Sequence, residues 1–158
     1  MLTQEQLTNL ATLAVYLEKL PIDYQHFRMS TYYSGSNDEE YVVCEEPMTC
    51  GSVACAVGHG PAAGICAPYP DIGWNDYAGL FTGNIYASTE SNACYNWCFS
   101  GRWAMIDDTH RGAAARIRYL LDKGVPEGFD VSSLPTPFDP PTGEQRALLQ
   151  IYESYLTR

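Results

Sequence analysis

The stretch Asp107-Asp108-Thr109-His110-Arg111-Gly112-Ala113-Ala114-Ala115-Arg116-Ile117-Arg118-Tyr119-Leu120-Leu121-Asp122-Lys123-Gly124-Val125-Pro126 decides the fold class. A capping residue opens it, and Ala114, Ile117, Leu120 and Leu121 recur at helical spacing. Basic residues fall late, where they complement the helix dipole, and Gly124 with Pro126 closes the element. These local signals agree, and they predict a helix over 110–123.

The same reasoning carries to both ends of the chain. Thr3 and Gln6 have capping-box spacing, and Leu7, Leu10, Leu13, Ala14, Leu17 and Leu20 repeat at three and four residues, which predicts an amphipathic helix from Thr3 to Leu20 stopped by Pro21. Thr142 and Gln145 repeat the capping spacing ahead of Leu148, Leu149, Ile151, Tyr152, Tyr155 and Leu156, a final helix. Between these lie weaker patterns. Trp74, Tyr77, Leu80 and Phe81 share one face of a short helix, and Cys94, Trp97, Cys98, Phe99 and Trp103 form a dense apolar cluster. Residues 52–63 are small and apolar, which predicts a short buried helix starting near Cys50, with Gly51, Gly58, Gly60 and Gly64 admitting close neighbours. Tyr41-Val42-Val43 is a candidate strand. The expectation is a mainly α fold, with α+β as the alternative: one domain with irregular, aromatic-rich connections and a C-terminal helix. Residues 1–126 form the globular core, and 127–158 are a proline-rich arm and last helix packing on it.

At 158 residues the chain is long enough to bury roughly 70% of its unfolded surface, so a full core needs no disulfides. Nothing at the N-terminus resembles a signal peptide and no apolar run has membrane-spanning length, so the expectation is a cytoplasmic protein with reduced thiols and no membrane partner. Nineteen acidic against nine basic residues give a net charge of −10. No lysine or arginine stands between Arg28 and Arg102, whereas Asp38, Glu39, Glu40, Glu45, Glu46, Asp71, Asp76 and Glu90 do. Direct binding of nucleic acid is disfavoured, because phosphate contact requires a basic face. The natural complement is a protein with a basic surface, and Asp38, Glu39, Glu40, Glu45 and Glu46 are the candidate docking residues. Read blandly, the same run is a solvated loop.

Cys50-Gly-Ser-Val-Ala-Cys55-Ala-Val-Gly-His59 concentrates chemistry-bearing side chains, and three readings of it stay open. The first is packing: buried thiols with His59 bonded to backbone. The second is a zinc site built from Cys44, Cys50, Cys55 and His59, although five, four and three intervening residues do not make the paired C-x-x-C pattern. The third is a cysteine nucleophile, Cys50 or Cys55, with His59 or His110 as base. The preferred expectation is no catalytic residue, no metal and no cofactor, with zinc the alternative cofactor. Asp107 and Asp108 beside His110 are explained by helix N-terminal electrostatics. Gly58-His59-Gly60 lacks the lysine of a phosphate-binding loop.

Cys50 to Cys55 with Gly58-His59, then Trp97-Cys98-Phe99-Ser100 with Trp103, then Gly112 to Gly124, taken in that order, resemble a family of small proteins encoded by tailed phages and prophages. The resemblance spans about residues 1–126. It implies a phage origin and a host-cell cytoplasmic setting, and it leaves the mechanism to the residues. With the charge map, the expected function is an acidic interaction protein that binds and inhibits or redirects a host protein, a defence or nucleic-acid enzyme being the class in view and DNA mimicry one route. A small cysteine-dependent hydrolase and a zinc-stabilised binding module are the alternatives.

Overall fold

The computed structural model describes residues 1–32 and 53–156. Helix α1 runs Gln4–Lys19, and its N-terminus is the capping box expected from Thr3 and Gln6. Gln6 N donates to Thr3 Oγ1 at 3.1 Å, while Thr3 N donates to Gln6 Oε1 at 2.9 Å. Two of the donors that a helix start leaves unpaired are thereby satisfied. Leu10, Leu13, Ala14 and Leu17 are buried, one stripe at three- and four-residue spacing.

Helices α2 (Trp74–Thr82) and α3 (Thr89–Phe99) follow, α3 capped by Ser88. A 3₁₀ turn, Gly101–Met105, then leads to α4 (His110–Lys123). Thr109 Oγ1 caps α4 by accepting from Gly112 N at 2.9 Å. Helix α4 is central: α1 packs chiefly on it, and α3 and the C-terminal turns also lie against it. Its alanine run, Ala113 to Ala115, is buried with Ile117 and Leu120, and short side chains there let the leucine stripe of α1 approach closely.

The fold is mainly α. The β-type pairing seen among the described residues is one isolated parallel bridge, Phe27 to Ala54, in which Arg28 N donates to Ala54 O at 2.9 Å and Ala54 N to His26 O at 2.8 Å. This extended pairing corrects the expectation of a helix through residues 52–63. Helical turn begins only after it, as a single 3₁₀ turn at Val57–His59. Gly58 and Gly60 admit close neighbours as expected, Gly64 has none within 4 Å, and Gly51 lies outside the described residues. A side chain at Gly58 would collide with the Tyr32 carbonyl and one at Gly60 with the Tyr77 ring, while Gly64 serves a left-handed turn at φ 87°. The candidate strand Tyr41-Val42-Val43 lies outside the described residues.

The expected single C-terminal helix is broken instead into α5 (Gly143–Arg146), α6 (Leu149–Tyr152) and a 3₁₀ turn at Glu153–Tyr155. Tyr152 and Tyr155 are its buried residues. Both reach α4: the Tyr152 oxygen accepts from Arg116, and the Tyr155 hydroxyl donates to Asp122. The proline-rich segment before it makes a 3₁₀ turn at Val131–Ser133 capped by Asp130, then buries Leu134 in the core.

Candidate functional site

All three histidines converge, although His26, His59 and His110 are far apart in sequence. Tyr24 is the hub: its ring meets His26 at 5.2 Å, His59 at 5.6 Å and His110 at 6.0 Å between centroids. Phe27 covers the other side, 5.5 Å from His59 and 6.2 Å from His110. The cluster joins the end of α1, the segment after Pro21, the 3₁₀ turn at Val57–His59 and the start of α4.

His59 is fully buried, and both of its ring nitrogens are occupied. Nδ1 donates to the Cys55 carbonyl at 2.7 Å, and Nε2 accepts from the Tyr24 hydroxyl at 2.9 Å. A carbonyl only accepts, so this pair of bonds selects the Nδ1–H tautomer. Burial brings His59 down to about 4, so the ring is neutral at pH 7. Burial likewise pushes the Tyr24 hydroxyl up to about 12, which keeps it a donor.

Cys55 does not pair with His59 through its thiol. The imidazole takes the backbone carbonyl of Cys55, while the sulfur accepts the N–H groups of Val57 and Gly58. Burial raises this thiol to about 11, so it is protonated and a poor nucleophile at neutral pH. Beside it lies a cavity of about 80 Å³, edged by the hydrogen-bonded hydroxyls of Tyr32 and Tyr95. That volume suits a few water molecules, and it is well below the few hundred Å³ of a typical substrate pocket.

For zinc, His59 would have to release Tyr24, and Cys55 its backbone donors. Cys44 and Cys50, the other two members of that ligand set, lie outside the described residues, as do Asp38, Glu39, Glu40, Glu45 and Glu46. Among the described residues no group of three or more His, Cys, Asp or Glu side chains is placed to hold a metal ion.

His110 also departs from the role of a base. Its Nδ1 lies 2.9 Å from the Leu17 carbonyl and its Nε2 2.9 Å from the Pro21 carbonyl, so the ring fastens the C-terminal end of α1 to the first turn of α4. Asp107 and Asp108 do more than stabilise a helix start. Asp108 Oδ1 accepts from Met29 N at 2.6 Å, and burial raises its carboxyl above the ordinary range.

Asp107 belongs to a buried network that sequence reasoning missed. Its Oδ2 accepts from the Tyr152 hydroxyl at 2.9 Å and lies 3.6 Å from Arg116 Nη1, which itself donates to the Tyr152 oxygen at 3.1 Å. Arg116 is 0% exposed. Its guanidinium lies 4.5 Å from the centroid of the Trp103 ring and 5.3 Å from that of Tyr152. Among the described residues Nε and Nη2 have no hydrogen-bond partner, so the aromatic faces provide much of the cation's compensation. A signal was present in the sequence: Arg116 follows Ala113 by three and precedes Leu120 by four, which places it on the buried stripe and not among the solvated bases.

Among the described residues no helix is long and apolar enough to cross a membrane. Comparison with protein-family models, with curated proteins and with solved structures finds no match to this chain.

Proposed function

We propose that this is an acidic interaction protein, encoded by tailed phages or prophages, that acts in the host cytoplasm by occupying a host protein with a basic surface and inhibiting or redirecting it. Its carboxylates take the place that nucleic-acid phosphates would otherwise fill. The charge distribution carries the reading. The net charge is −10, and the internal pairings of Arg116 with Asp107 and of Arg118 with Glu18, the latter through two bonds of 2.8 and 3.1 Å, each take up one base and one acid and leave that excess undiminished. A surface so biased steers association with cationic partners and repels polyanions. The state of Cys55 and His59 favours a binder over the cysteine hydrolase, since that thiol is protonated and that imidazole is already engaged.

Affinity capture from host lysate with mass spectrometry identifies the partner, and kinetics then test the mode of action. Exposed charges are screened over about 8 Å at physiological ionic strength, so association should slow steeply with added salt. Changing Asp38, Glu39, Glu40, Glu45 and Glu46 together to Asn and Gln should slow it about tenfold or more at low salt. Inhibition should titrate in proportion to partner concentration. Equal rates for both proteins with no salt dependence, or turnover of a substrate, would overturn the proposal.

A further inference from the structure

The 3₁₀ turn carrying Arg102 and the proline-rich segment enclose a cleft of about 340 Å³. It lies at the small end of the range of ligand pockets. Its walls carry one side chain of each charge, Arg102 and Asp139, and an apolar surface from Leu134, Pro135 and Pro140. Leu134 and Pro135 are buried, whereas Asp139 is exposed and Arg102 half-buried.

The two charges do not neutralise one another. Among the described residues they form no ion pair within 4.0 Å, and Asp139 accepts only a long bond of 3.3 Å from Thr136 Oγ1. The Arg102 side chain has no hydrogen-bond or ion-pair partner among the described residues. Opposite charges that line one cleft without pairing leave both free to meet a molecule that bears both charges. A simple anion would meet Asp139 as well as Arg102, on a protein already strongly negative, and a simple cation would meet Arg102.

We infer that this cleft is a binding site for a small zwitterion, a free aliphatic α-amino acid. The carboxylate lies on the Arg102 guanidinium, whose planar fork matches it. The ammonium group lies on Asp139, and the aliphatic side chain rests against exposed Pro140, over the buried Leu134 and Pro135. This site gives the proline-rich segment a purpose beyond covering the core.

Two-dimensional amide NMR of the full chain, titrated with L-leucine into the millimolar range, tests the inference. Saturable shifts are expected at Arg102, Leu134, Thr136 and Asp139. N-acetyl-L-leucine, which lacks the ammonium charge, and L-leucinamide, which lacks the carboxylate, should each bind about tenfold or more weakly, the loss expected for one charged hydrogen-bonding group. Arg102→Gln should erase the difference between leucine and leucinamide, and Asp139→Asn that between leucine and its acetyl derivative. Both side chains are solvent-accessible, and Asp139 has only its long bond from Thr136 to lose, so unchanged melting temperatures verify that the variants are folded. Absence of saturable shifts, equal binding of the three compounds, or wild-type leucine binding by Arg102→Gln would overturn the site.

Discussion

Lowering the pH from 7 to 4 titrates His59, and the burial of its ring gives the effect its sign. In the unfolded chain an imidazole takes up its proton near pH 6.5. In the fold, burial delays uptake to about pH 4. The unfolded state therefore binds more protons between these values, and acid favours it. The contribution of a neutral His59 is complete above about pH 6.5 and declines as pH falls towards 4. Each pH unit is worth about 1.4 kcal/mol, so the window removes about 3 kcal/mol. That is a large share of the 5–15 kcal/mol that typically holds a domain together. Urea unfolding followed by tryptophan fluorescence at pH 7, 5.5 and 4 measures it, with His59→Gln as the reference that cannot titrate. The advantage of wild type over the variant should shrink by about 3 kcal/mol across the window, which cancels the contribution of titrating carboxylates common to both. The His59 ring resonance should in parallel titrate with a midpoint near 4. A midpoint above 6, or a stability difference constant with pH, would refute the reasoning.

Arg116→Ala should cost about 3–5 kcal/mol in chemical unfolding, because it strands the Asp107 carboxylate, and Tyr152→Phe about 1–3 kcal/mol, because it removes the hydroxyl that both charges share. Gly112→Ala places a methyl group against the Asp107 carboxylate and should lower stability by about 1–3 kcal/mol. Gly143→Ala, where a side chain meets nothing within 4 Å, should be neutral or stabilising by melting temperature. Brief alkylation with iodoacetamide at pH 7, mapped by peptide mass spectrometry, should modify exposed Cys66 well before Cys55 or Cys98, whose thiols burial raises. Elemental analysis of protein prepared without a metal-binding tag should find no stoichiometric zinc; one zinc per chain lost in His59→Gln would turn the cysteine cluster into a folding site.

How much of this was legible in the sequence followed from how local each signal is. Helices α1, α2 and α4 could be read because caps and stripes involve residues no more than four apart: Thr3 with Gln6, Trp74 with Tyr77, Thr109 with Gly112. The charge asymmetry was legible for the simpler reason that it is a count along the chain. Tertiary structure decided the rest. Cys55 and His59 stood four apart and suggested a shared bond, but the partner that His59 Nε2 took was Tyr24, and the thiol turned to backbone N–H groups. The C-terminal pattern read as one helix, yet it breaks before Leu149 and again after Tyr152, whose hydroxyl bonds both Asp107 and Arg116. Arg102 and Asp139 look like two ordinary surface charges until the proline-rich segment brings them to one cleft. By itself the sequence determined where the backbone coils and what net charge it carries, because those depend on near neighbours and composition. Which polar groups pair was decided only by folding, because a buried donor or carboxylate takes whatever partner the packing of distant segments sets within about 3 Å.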